Sequence, residues 1–546
     1  MKISDSINSR NLFNRLNIFT KKITKKLSAI TLWLIFCGVC LYNIQNQDWN
    51  NPRRLIDADV HYYYIYAVSA IVYHDLDIGK AYKKLPGSIR LNLWLPPNDE
   101  TGKVYSKMSI GLSLIYAPFT AFSHYILVPI TGAPADGYSA PYKIGLLLSA
   151  LLFFLFGLVS LRKVLLLHFN DTITTLTLII VAFGTNITWY ISSEATMSHV
   201  YSFALIIFLY RLLIRWFQNP RTGLSILIGI IFGLIVLIRP TNIMFLVLFL
   251  ATGDIRERIL FLFRNYAKIL LMIAMFVVVW IPQFAFWKYV SGHWFFYTYG
   301  DESFFWNNPQ VISSLFSYRK GWLVYTPLMM LAFIGLPVLW RQYRPLFWQV
   351  ISVLILLTYI NSSWWCWWFG GSYGNRAYID GYGIFALAIA AFLSFVAKYR
   401  YKILSFTGIV VLAAFVFLNL FQTWQYRMGL IHYVSNTKQS YWNNFLKTQM
   451  SPEFYNNLVV PDHPVAMMGI YYPRSEMFVG DAIRIKSLIE LNPEYFISHF
   501  QGEAIKKISS QKKTTGLVLS DKIDSLSRIE AIEMYKALKQ RYQFQY

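Results

Sequence analysis

The chain alternates long apolar runs with short polar joints that are mostly basic. Apolar runs at 27–42, 142–162, 172–191, 197–217, 223–238, 241–252, 266–288, 322–340, 346–362, 381–397 and 403–421 include several that reach the roughly 17 to 25 residues a helix needs to cross a bilayer. In hydrocarbon every backbone polar group must find a partner within the protein, so each run is predicted as a helix. The pattern predicts eleven transmembrane helices. The two short runs that flank Arg239-Pro240 predict half-length helices meeting at a proline break, with the arginine close to one membrane surface.

The joints give orientation. Residues 108–131 are long enough to cross but carry Pro118 and Pro129. If this segment lies along the outer surface, the loops at 162–171, 211–221, 253–265, 341–345 and 398–402 face the cytoplasm with thirteen Lys or Arg, and the opposite short loops keep four, Arg239, Arg319, Lys320 and Arg376. Counting it as a span reverses this, against the positive-inside rule, so it is expected at the surface. The amino terminus is then inside. Outside lie a first loop at 45–141, a loop at 290–321 and everything from 422 onward.

Composition supports this class: 56% of the 546 residues are hydrophobic and 14% charged, against roughly 25% charged in soluble proteins. The net charge of +23 suggests nucleic acid until the basic residues are located. Seven lie in residues 1–27 and seventeen in the short loops just counted, where they act as orientation signals, so no nucleic-acid partner is expected. The amino-terminal tail and first run lack a small-x-small cleavage site, and the run is read as an uncleaved helix. Cys37 and Cys40, inside that helix, are read as small packing residues. The last 125 or so residues regain Lys, Glu, Asp and Asn, carry turn signals at 460–464 and end in a helical pattern at 523–541. They predict a small extracytoplasmic α+β domain at 422–546, following a basic tail at 1–27 and a transmembrane module at 28–421.

Three polar clusters carry candidate chemistry. Asp57-Ala58-Asp59-Val60-His61-Tyr62-Tyr63-Tyr64 opens the first external loop. Asp57 and His61 share a face if the segment is helical, and Asp57, Asp59 and His61 share a side if it is extended. Carboxylates beside an imidazole suit a general base with a tuning partner, or a divalent cation with Asp57, Asp59 and His61 as ligands. Glu194 and His199 flank the next external turn. Trp364-Trp365-Cys366-Trp367-Trp368 leads into Gly370-Gly371-Ser372-Tyr373-Gly374-Asn375-Arg376, with Asp380 just beyond. Glycines allow close backbone approach to an anion, and a guanidinium matches phosphate with two parallel hydrogen bonds. Arg376, Arg239, Lys320 and Arg319 are thus candidate phosphate-binding cations. Nucleotide-binding loops and HExxH are missing from the sequence.

This arrangement resembles the GT-C superfamily of integral membrane glycosyltransferases, in particular the bacterial branch akin to protein mannosyltransferases and aminoarabinose transferases. The likeness covers 45–421 in architecture and rests on Asp57 to Tyr64, Glu194 to His199, Arg239-Pro240-Thr241 and Gly370 to Arg376. It implies a bacterial cytoplasmic-membrane enzyme that transfers a sugar, with inversion, from a polyprenyl-phosphate donor to a glycan, lipid or protein acceptor on the outer face. By position the first-loop acid falls on Asp59, with Asp57 competing, and the second-loop acid on Glu194. His61, His199 and Tyr373 are then substrate contacts, and a divalent cation is optional. Cys366 after Trp365 replaces the Trp-Trp-Asp motif of oligosaccharyltransferases, which favours transfer of a single sugar. The competing expectation is a non-enzymatic lipid or sugar flippase or transporter.

Overall fold

The computed structural model describes residues 26–471, apart from 91, 92, 94, 252–254, 399–401, 462 and 470. The basic tail to residue 25, the pattern at 523–541 and most of the expected carboxy-terminal domain lie outside the described residues. The described chain is helical, with two isolated bridges and no strand. Among the described residues, eight helical stretches are long and apolar enough to cross a membrane: Lys26–Asn50, Gly111–Thr131, Ala140–Leu165, Ser198–Gln218, Tyr266–Ser291, Arg344–Ser363, Arg376–Lys398 and Thr407–Arg427. Shorter apolar helices are Asp171–Phe183, Thr222–Ile238, Pro240–Phe249 and Pro327–Gln342. This is an all-α, multi-pass membrane protein.

Two compact units divide the chain. Met1–Gly300, Tyr325–Thr358 and Arg376–Thr423 form the first, and Asp301–Val324, Tyr359–Asn375 and Trp424–Tyr546 the second. The second is therefore not one continuous carboxy-terminal stretch. It draws in the tryptophan-rich segment because Trp365, Cys366, Trp367 and Trp368 bury themselves against Val434 and Ala466, with Phe305, Trp364, Met467 and Tyr471 around them. Large aromatic surfaces dominate such a core. Backbone bonds from Phe305 N to Ser363 O (2.6 Å), Gln310 N to Ser362 O (2.8 Å) and Trp365 N to Ser303 O (3.1 Å) fasten the two earlier segments together.

In the first unit the helices used below are α1 (Lys26–Asn46), α2 (Asp59–Ile71), α3 (Gly111–Phe122), α4 (Ala140–Leu165), α5 (Asp171–Phe183), α6 (Ser198–Gln218), α7 (Thr222–Ile238), α8 (Tyr266–Ser291), α9 (Tyr382–Lys398) and α10 (Lys402–Arg427). Apolar burial gives little drive between helices in lipid, so close approach at small residues matters. Gly229 and Gly233 on α7 lie against α8, where a Cβ on Gly229 would come within 2.4 Å of the Met272 carbonyl oxygen. At its first turn α1 is tied to the start of α5: Ser28 N donates to Asp171 Oδ2 at 3.1 Å, and Arg162 Nε donates to Ser28 Oγ at 2.8 Å.

Three predicted runs differ in detail. The run at 172–191 stops as α5 at Phe183, passes through Gly184 and resumes for one turn at Ile187–Tyr190. Asn419 of α10 caps this break, its Nδ2 donating to Phe183 O at 2.9 Å and Thr185 O at 2.8 Å. The half-length helix after Arg239 is a 3₁₀ helix, Pro240–Phe249, because Pro240 has no N–H with which to extend α7. The run at 322–340 is broken at Pro327 into Trp322–Tyr325, Pro327–Met329 and Met330–Gln342. The stretch Gly111–Thr131 is one continuous helical path with a π-type turn at Ser123–Leu127. Its start is docked by Ile110 N donating to Gln283 Oε1 at 2.8 Å and Ser109 Oγ donating to Leu237 O.

Candidate active site

The acidic motif of the first loop is bent, not extended. Ala58 sits at φ 45°, ψ −125°, a conformation that suits glycine and strains an alanine. The chain turns there, and Asp59 opens α2. Asp57, before the turn, faces His61 at 4.0 Å, whereas Asp59 faces Arg376, with Nη2 to Oδ2 at 2.6 Å. Asp57, Asp59 and His61 therefore do not converge. Among the described residues no group of three or more His, Cys, Asp or Glu is arranged to hold a metal ion, so Asp57, Asp59 and His61 do not form the joint ligand set that the sequence allows as one alternative for this motif. Ala58→Gly should leave stability unchanged or slightly higher, and Ala58→Val should lower it by about 1 to 3 kcal/mol in detergent unfolding.

Two ion pairs, both in the first unit, bring together residues from distant parts of the chain. Asp59 and Arg376, 317 residues apart, form one. The other is a three-way contact. Arg239 Nη1 donates to Asp380 Oδ2 at 2.9 Å and lies 3.0 Å from His199 Nδ1, which is 3.1 Å from Asp380 Oδ1. Protonated at Nδ1, His199 donates to Asp380; in the other tautomer it accepts from Arg239. Asp380 is 1% exposed and both its oxygens are engaged. Asp59 is 31% exposed, and only Oδ2 meets the arginine. The Nε of Arg376 is buried without a hydrogen-bond partner among the described residues.

Burial by itself would raise the Asp59 carboxyl, but the charges of Arg376 and Lys107 and the Arg376 hydrogen bond outweigh it and hold the group below its ordinary value. It is a carboxylate at neutral pH. Tyr63, on the same helix, is pushed up to about 12 by burial, against the opposing pull of Arg239, and keeps its proton. Glu194 lies in the turn before α6 and acts electrostatically on Arg376. Asp59, Glu194, His199, Arg239 and Arg376 thus belong to one polar constellation of the first unit. No protein-family model matches the chain, and no curated protein matches its sequence.

The remaining sequence candidates fall elsewhere. His61 is 3% exposed and packs on Tyr138 at a ring separation of 5.6 Å. Burial lowers its pKa to about 4, helped by Lys143 and opposed by Asp57. It is folded as a neutral ring that takes up a proton readily only when unfolded. Its stabilising effect is complete above the ordinary value of about 6.5 and is lost as pH falls toward 4, an effect of about 3 kcal/mol. Unfolding followed at pH 7 and pH 4.5 should show this loss, and His61→Phe should reduce it.

Arg319, Lys320 and Tyr373 belong to the second unit. Arg319 Nη1 donates to Val434 O at 3.0 Å, Lys320 Nζ donates to Ser372 O, and Tyr373 is fully buried against Tyr426. His432 is lowered to about 4 by burial and by Lys320 and Arg319, and its Nδ1 accepts from Val434 N and Ser435 N. Here the two cations hold backbone carbonyls in place.

Sequence reading missed the weight of Asp380, which it noted only as a neighbour of the glycine-rich turn, and the contribution of Lys107. Asp380 had a signal, being a carboxylate at the start of an apolar run where an uncompensated charge is costly. Lys107 had none beyond its place in the first loop.

Proposed function

We propose that the protein is a glycosyltransferase of the outer face of the bacterial cytoplasmic membrane, moving a single sugar from a polyprenyl-phosphate donor to an acceptor hydroxyl with inversion. The topology that goes with this reading has eleven crossings, an internal amino terminus and the first loop outside. One observation supports it most: the carboxylate read as base, Asp59, and the guanidinium read as phosphate ligand, Arg376, are direct neighbours although they were selected independently.

In this mechanism Asp59 takes the proton of the acceptor hydroxyl. The acceptor oxygen attacks the anomeric carbon from the face opposite the phosphate, the carbon–oxygen bond to phosphate breaks, and polyprenyl phosphate leaves with the electron pair. Arg376 stabilises the charge that grows on the phosphate. Arg239, clamped by Asp380 and His199, adds positive potential without having to move. Glu194 orients the acceptor or assists the base.

The test is transfer by the purified full-length protein from short-chain polyprenyl-phosphate hexoses and pentoses. Sugar transfer with release of polyprenyl phosphate supports the proposal. Lack of transfer, combined with movement of the labelled lipid between leaflets of reconstituted vesicles, would replace it with the flippase reading.

A further inference from the structure

The two largely buried arginines of the polar constellation, with side chains 13% and 12% exposed, are held very differently. Arg239 is clamped: one nitrogen meets both Asp380 and His199, and Asp380 has both oxygens engaged and 1% exposure. Arg376 is held more loosely: its Nη2 meets one oxygen of an aspartate that retains 31% exposure, and its Nη1 has only a weak acceptor, Met197 Sδ at 3.8 Å. Its Nε–H, part of the edge a guanidinium offers to a two-pronged anion, is buried without a hydrogen-bond partner among the described residues. A buried donor left unsatisfied costs on the order of a hydrogen bond, so this arginine gains from an acceptor with two oxygens at the right spacing. Asp59 is also equipped to be left. It occupies the first turn of α2, where the helix dipole favours an anion even without a cation beside it.

We propose that Arg376 changes partners during the cycle. Asp59 holds it at rest, and the phosphate of the lipid donor takes it over, leaving the Asp59 carboxylate free to accept the acceptor's proton. This deepens the glycosyltransferase reading and rests on it. The reaction is therefore ordered, with donor binding before the acceptor can be deprotonated. Thermodynamic linkage gives the reason: two anions that compete for one guanidinium weaken each other by the same factor, so the phosphate raises the proton affinity of Asp59 as it binds. The negative phosphate nearby acts in the same direction. The base is kept weak while the site is empty and strengthened when the donor is seated. Clamped Arg239 does not take part in the exchange.

The exchange makes a prediction opposite to that of a simple binding contact. If Asp59 competes with the phosphate, removing its charge releases Arg376, and the apparent affinity rises by the inverse of the fraction of Arg376 already competent. Binding of short-chain polyprenyl monophosphate to the full-length protein in nanodiscs should tighten by about fivefold or more in Asp59→Asn and in Asp59→Ala. In an Arg376→Ala background the same Asp59 substitutions should tighten binding far less, because the shared partner is gone and only the direct repulsion between carboxylate and phosphate is relieved. Inorganic phosphate should show the same direction of change at weaker affinity if the headgroup alone drives the exchange. The matching polyprenol, without phosphate, should bind alike in every variant.

Equal or weaker polyprenyl-phosphate binding in both folded Asp59 variants overturns the exchange. Should those variants fail to fold, an infrared difference spectrum of the unmodified protein decides, since phosphate binding must shift an aspartate carboxylate band and an unshifted band refutes the proposal. The two readings fail separately. Tightened, Arg376-dependent phosphate binding without sugar transfer from any donor keeps the exchange and removes the glycosyltransferase. Transfer without tightening, and without a shifted carboxylate band, does the reverse.

Discussion

Asp59→Asn should lower turnover by about 10² to 10⁴, the range that a positioned general base contributes. The amide keeps the size of the side chain and still offers Arg376 an oxygen, so the fold at the start of α2 should persist while the proton acceptor is lost. The measurement is kcat at saturating donor and acceptor, with unfolding recorded in parallel. A variant that folds and turns over like the parent would exclude Asp59 as base. Asp57, which faces His61 and has a side chain 52% exposed, would then be the carboxylate to replace next.

The second large effect concerns stability. Asp380→Ala should destabilise the protein by about 3 to 5 kcal/mol, because it leaves the Arg239 guanidinium buried after losing the carboxylate that engages it. The pair itself need not be strongly stabilising, since bringing both charges out of water offsets much of their attraction. Replacing both members by apolar residues of similar volume, Arg239→Met with Asp380→Leu, should therefore recover most of what Asp380→Ala loses. Chemical unfolding in a mild detergent measures both. A loss below about 1 kcal/mol in Asp380→Ala would mean that Arg239 relaxes toward water or finds another acceptor, and that the network is not a rigid clamp.

The residues of the constellation were more legible than their arrangement. Asp59, Glu194, His199, Arg239 and Arg376 each stand out as polar groups beside apolar runs, where a charge needs a reason. What the sequence could not supply was the pairing, since the partners Asp59 and Arg376 are 317 residues apart and no local rule connects them. The grouping of Asp57 with Asp59 failed for a local reason. An alanine at φ 45° is not a position that propensity predicts, and one such residue sends adjacent carboxylates to different partners. Asp57 and His61 do approach to 4.0 Å, but across the bend at Ala58 and not along a helix face, since the helix begins at Asp59.

The apolar pattern located the helical segments but not their interruptions. Gly184 and Asn186 mark a weak point in the run at 172–191, yet an apolar run of that length reads as unbroken because the group that satisfies the broken turn lies far away. The second unit was hidden for a related reason. Trp365, Trp367 and Trp368 have the composition of a membrane-interface belt, and only their packing on Val434 and Ala466 identifies them as a core. Runs of aromatic residues serve both purposes with the same composition.

The capped break after α5 also bears on how the chain is made. Asn419 is synthesised 234 residues after Thr185, whose carbonyl it will satisfy. At about 5 to 20 residues per second this is a wait of about 10 to 50 s, during which the carbonyls of Phe183 and Thr185 lack their final partner. Hydrocarbon does not tolerate exposed peptide groups, so the young segment must stay near water or in contact with the insertion machinery until α10 emerges. The seating of α5 is thus a late event, completed by α10.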